Sequence, residues 1–85
     1  MKIKVRYFGK VQEIIGKEEE IFEIKERDLR SLMKKILRKY EHFKTYYKKA
    51  LNRNFIILVN GERVEKNKKL ESGDVVAFFP IIEGG

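Results

Sequence analysis

The chain has 85 residues, a net charge of +7 and no cysteine. A chain of this length suits one small domain that buries only about 60–65% of its unfolded surface. The missing cysteine excludes disulfides, thiolate metal sites and a cysteine nucleophile within the chain, and no apolar stretch approaches the ~20 residues of a membrane span. The N-terminal residues alternate in character and lack the apolar block of a signal peptide. A soluble, cytoplasmic protein is expected.

Ile3, Val5 and Tyr7 alternate with Lys2, Lys4 and Arg6. That is the two-residue period of a half-buried strand, closed by Phe8 and Gly9. Val11, Ile14 and Ile15 then fall at i, i+3 and i+4, which predicts a helical turn ended by Gly16. Ile21, Phe22 and Ile24 read as a second strand, so the first two strands form a hairpin with an elaborated loop.

Asp28 is placed to cap a helix. Leu29, Leu32, Met33, Ile36, Leu37 and Tyr40 follow on one helical stripe, with Arg30, Lys34, Lys35, Arg38 and Lys39 on the other side. Phe43, Tyr46, Tyr47, Ala50 and Leu51 repeat the spacing, predicting a second helical piece or a bent continuation to about Leu51. Asn52, Arg53 and Asn54 break it. Phe55 to Val59 is a continuous apolar run, expected as a strand buried on both faces. Asn60-Gly61 is a strong hairpin signal, because both residues tolerate positive φ, and Glu62-Arg63-Val64 makes a short return strand. Leu70 anchors the chain before a turn at Ser72-Gly73-Asp74. Val75 to Phe79 is the last strand, which Pro80 should end because it has no N–H to donate. The order β-β-α-β-(β)-β implies an α+β fold: one mixed sheet of four to five strands packed on one main helix, with the first and last strands side by side at its centre.

No catalytic set can be assembled. His42 is the sole histidine, so no metal site is expected, and Gly61 and Gly73 are turn glycines rather than a phosphate loop. Residues 25–53 carry eleven Lys/Arg against three Asp/Glu, a net of +8. Such a patch suits nucleic acid or an acidic partner, or is simply a solvated helix face. Tyr40, Phe43, Tyr46 and Tyr47 lie among those lysines, but their helical spacing assigns them to the core rather than to base stacking. No nucleic-acid partner is expected.

The chain ends in Gly84-Gly85 behind an apolar run. Two residues without Cβ can thread a channel too narrow for side chains, and a free Gly85 carboxylate on such a thread can be presented to another protein's active site. Several motifs occur together: Val5-Arg6-Tyr7-Phe8-Gly9 with Gly16; Leu58-Val59-Asn60-Gly61-Glu62-Arg63-Val64; and the Gly73-Asp74 turn and Phe78-Phe79-Pro80, running into Gly84-Gly85. With them the whole chain resembles the ubiquitin-like small sulfur carriers, foremost the small subunit of molybdopterin synthase and, more distantly, the thiazole-synthesis carrier. The resemblance implies a β-grasp domain over residues 1–80 and a flexible tail over residues 81–85.

The implied chemistry takes place on the tail. A ubiquitin-activating-type enzyme would use ATP to adenylate Gly85, and a persulfide would convert it to a thiocarboxylate. The synthase large subunit would then receive the sulfur for molybdopterin. The chain itself would be a non-catalytic carrier or small subunit, binding no cofactor and no membrane. Phe8, Phe78, Phe79, Pro80, Ile81, Ile82 and Glu83 would meet these partners, with Gly84 and Gly85 as the reacting end. The same tail would serve a ubiquitin-like protein modifier or a tRNA-thiolation carrier, which stands as the alternative. Ile81-Ile82-Glu83 departs from the molybdopterin branch, which often has a second proline and a small residue before the glycines.

Overall fold

The computed structural model describes residues 1–50 and 55–80. In chain order the elements are β1 (Lys2–Tyr7), α1 (Gly9–Ile15), β2 (Glu19–Glu23), α2 (Leu29–Lys39), α3 (Glu41–Ala50), β3 (Phe55–Val59), β4 (Glu62–Arg63) and β5 (Val75–Pro80). The strands form one mixed sheet in the order β2-β1-β5-β3-β4. β1 and β5 run parallel at its centre, and the remaining pairings are antiparallel. This is the mixed sheet with its first and last strands adjacent at the centre that the element order implies, and the β-grasp arrangement that the resemblance implies.

The helices cover only one face of the sheet. Ile3, Val5, Tyr7, Phe22, Ile57, Val59, Val76 and Phe78 point into that layer and are buried. They meet Leu29, Leu32, Met33 and Ile36 of α2, Phe43 and Tyr47 of α3, and Val11 and Ile15 of α1. One expectation fails. Phe55 to Val59 is not buried on both faces: only Ile57 and Val59 are, while Ile56 and Leu58 lie half-covered on the open side. Ile21 lies in β2 as expected and is 63% exposed, because the register opposite Lys4 turns it to the open face. Strand alternation decides both cases, since among the described residues no layer lies beyond the sheet to bury the second set.

Local chemistry explains the boundaries. Asp28 caps α2 by accepting from the Ser31 amide at 2.7 Å. Its carboxyl titrates below the usual aspartate range, because the Ser31 amide stabilises the ionised form. The second helical piece is a separate helix. The break falls at Tyr40, whose extended backbone (φ −122°, ψ 96°) interrupts the run; Leu51 lies outside the described residues. Asn60 and Gly61 both have positive φ (52° and 85°), the geometry their hairpin requires. The Asn60 side chain then fastens the Gly73-Asp74 turn: its Nδ2 donates to Asp74 Oδ1 (2.9 Å), and its Oδ1 accepts from the Val75 amide (3.0 Å). β5 takes in Pro80, in register with Phe55. No described helix is long and apolar enough to cross a membrane.

Candidate functional site

The residues expected to carry the chemistry, Gly84 and Gly85, lie with Ile81, Ile82 and Glu83 outside the described residues. What the structure places is the platform leading to them. β5 sits between β1 and β3, so the C-terminal segment continues from a central strand rather than from an edge.

Alternation splits the two phenylalanines of β5. Phe78 points into the helix layer and is fully buried. A partner cannot touch it without unfolding the domain, so its expected docking role is corrected to core packing. Phe79 points to the open face and is half-buried. Its ring stacks on Phe8 with centroids 4.3 Å apart and planes 8° apart. Phe8 is the N-cap residue of α1, and its extended backbone (φ −128°, ψ 154°) prolongs the line of β1. The Arg6 guanidinium lies 5.3 Å from the Phe8 ring centroid, a cation–π contact.

Register adds residues that the sequence reading did not single out. Ile56 pairs with Phe79, and Leu58 and Arg6 flank Ala77. Together they give an apolar strip of Phe8, Ile56, Leu58, Ala77 and Phe79, bordered by Arg6 and Lys4. The latent signal was the two-residue period counted back from Phe79, once the order β1-β5-β3 is known. Pro80 stands at the end of this strip by its register. The arrangement can hold an apolar partner surface. Among the described residues no three metal-ligating side chains converge.

The helix side of the sheet carries the main polar cluster. Glu20 of β2, 8% exposed at its side chain, accepts from the Tyr7 hydroxyl (2.7 Å), the Tyr40 hydroxyl (2.5 Å) and Lys39 Nζ (2.7 Å). Burial alone would raise its pKa, but these donors outweigh burial and hold the carboxyl below its ordinary value. Burial first, and then the Glu20 charge, push the Tyr7 phenol well above its ordinary range. The Glu20 contact raises Lys39. The cluster ties β1, β2 and the end of α2 together, and no buried side-chain polar atom lacks a partner among the described residues. It braces the body from behind the open face.

The ThiS family model matches residues 5–85. The chain belongs to the ThiS family. Among solved structures it is 33% identical to a putative molybdopterin converting factor subunit 1 from Pyrococcus furiosus, covering 95% of this chain and 98% of that one with a TM-score of 0.80. It is 30% identical to a chain of the complex of molybdopterin-converting factor subunits 1 and 2 from Helicobacter pylori, with full coverage of both chains and a TM-score of 0.67. SAMP1 from Haloferax volcanii superposes over the full length of both chains with a TM-score of 0.88, but at 17% identity that likeness is one of fold. A search of curated protein sequences gave no match. The resemblance to ubiquitin-like sulfur carriers and the β-grasp fold are both borne out.

Proposed function

We propose that the chain is a sulfur carrier that delivers sulfur to a pterin precursor in molybdopterin synthesis. The observation that carries this is the family match over residues 5–85, which takes in Gly84 and Gly85. The Gly85 carboxylate oxygen attacks the α-phosphate of ATP in the site of an adenylating enzyme, and pyrophosphate leaves. A persulfide sulfur attacks the acyl carbon and displaces AMP. A thiol then attacks the outer sulfur of the resulting acyl disulfide, forming a new disulfide as the S–S bond breaks and leaving Gly85 as a thiocarboxylate. The open face around Phe8, Ile56, Leu58 and Phe79 docks first the adenylating enzyme and then a synthase large subunit. Residues 81–85 reach each active site in turn. The chain contributes the reacting atom and its partners contribute the catalytic groups.

The identities of 33% and 30% to molybdopterin converting factor chains favour a pterin acceptor. The Helicobacter protein is solved in complex with its subunit 2, which supports the large-subunit partner. The test is truncation. Deleting Gly84 and Gly85 leaves the fold intact and abolishes sulfur loading by the adenylating enzyme with ATP. Diglycine remnants from this chain on lysines of other proteins, with pterin synthesis intact in its absence, would instead make it a modifier.

A further inference from the structure

The molecule has a second face that the carrier reading leaves unused. A cleft of about 510 Å³ opens between α2 and the loop that follows β2. Lys25, Lys34, Lys35 and Arg38 line it, with Glu23 and Glu26. Lys4, Lys10, Lys17 and Lys39 each pair with a glutamate. None of the four cleft cations pairs with a carboxylate among the described residues. Glu23 is already engaged by the Met1 ammonium at 3.4 Å, and Lys35 Nζ donates to the Glu23 carbonyl. The cleft is therefore a net cationic concavity, which focuses attraction for anionic groups. It lies on the helix side of the domain, opposite the apolar strip of Phe8 and Phe79.

We propose that this cleft docks an acidic protein segment in extended conformation while the open sheet face is occupied. Lys34 and Arg38 are four residues apart on α2, a rise of about 6 Å. Alternate carboxylates on an extended peptide repeat every ~6.7 Å, so two acidic side chains can meet both cations at once. Arg38 offers the fork that grips a carboxylate with two hydrogen bonds. Nucleic acid fits less well. No aromatic ring lines the cleft for base stacking, and Glu26 on its rim opposes a continuous phosphate backbone. The face does not depend on the tail chemistry. Loss of sulfur loading on truncation and loss of binding here are separate outcomes.

The test uses the full chain, a fluorescein-labelled hexaglutamate peptide and a labelled oligouridylate of equal charge, titrated at about 50 mM salt, where exposed charges are weakly screened. K34E/R38E reverses the charge of both exposed side chains. K44E/K48E makes the same change in net charge on α3. The expected result is that hexaglutamate binds, K34E/R38E weakens it at least about tenfold with an unchanged thermal melt, and K44E/K48E changes it less than about threefold. The proposal is overturned if hexaglutamate does not bind, or if the two double variants weaken it equally, which leaves only general charge attraction. It is also overturned if oligouridylate binds more tightly than the peptide and loses that binding in K34E/R38E, which makes the cleft a nucleic-acid surface.

Discussion

Replacing Glu20 by alanine tests the bracing cluster behind the sheet. The substitution strands the Tyr7 hydroxyl, because Tyr7 is 1% exposed and Glu20 is its hydrogen-bond acceptor at 2.7 Å. A buried polar group left unpaired costs about 1–3 kcal/mol. The half-buried Tyr40 hydroxyl adds a smaller loss, and the exposed Lys39 ammonium adds up to about 1 kcal/mol, since it can rehydrate. The total is about 2–4 kcal/mol, a large share of the stability of a small domain. At about 4–8 °C per kcal/mol for a domain of this size, the melting temperature falls by roughly 8–32 °C. The decisive comparison is the double variant. In the parent, Tyr7→Phe removes one hydrogen bond and destabilises by about 1 kcal/mol. In the Glu20→Ala background it removes the stranded hydroxyl, so its effect shrinks to near zero or becomes stabilising. Urea unfolding followed by far-UV circular dichroism reads all four proteins. Equal destabilisation by Tyr7→Phe in both backgrounds would refute the assignment of Glu20 as the shared acceptor.

Three further outcomes follow from the same geometry. Phe78→Ala empties a fully buried site and costs about 3–5 kcal/mol, enough to leave the domain substantially unfolded on a thermal melt. Phe79→Ala on the open face costs about 1–2 kcal/mol and keeps the fold, yet weakens docking to the adenylating enzyme at least about tenfold by calorimetric titration. Equal stability losses at the two positions would mean that the alternation of β5 is wrong. Stability also depends on pH in two directions. The Glu20 carboxyl titrates below its ordinary value of 4.5 when folded. Its contribution is therefore present above that value and is lost as pH falls below it, and Glu20→Ala flattens this acid limb. Tyr7, raised above its ordinary 10.0, keeps its proton in the fold while the unfolded chain loses it. Stability therefore declines as pH rises past 10, a limb absent in Tyr7→Phe.

Much of the fold was legible because local signals agreed with the tertiary result. The α2 stripe from Leu29 to Ile36 is buried, Asn60-Gly61 turns with positive φ at both residues, and Gly16 closes α1 in the left-handed conformation. What the chain order concealed was set by neighbours distant in sequence. An apolar run such as Phe55 to Val59 has the same pattern whether one face or both are covered. Ile56 and Leu58 are left half-covered because no second layer lies over them among the described residues. Composition could not choose between Phe78 and Phe79, because alternation fixes that one of them faces inward without saying which. Glu20, Tyr7 and Tyr40 are 13 and 20 residues apart along their hydrogen bonds, and no short motif announces them. Of the candidate site, Phe8, Phe79 and the glycine end were readable from motifs. Arg6, Ile56, Leu58 and Ala77 required the register.

The central claim is that Gly85 is loaded with sulfur. It is tested most directly by intact mass spectrometry of the full chain after incubation with its adenylating enzyme, ATP and a sulfur donor. The carrier account predicts a mass gain equal to one oxygen-for-sulfur exchange, located at Gly85 and abolished by deleting Gly84 and Gly85. An unchanged mass with an enzyme that forms the acyl-adenylate, or a gain that survives the deletion, would contradict it.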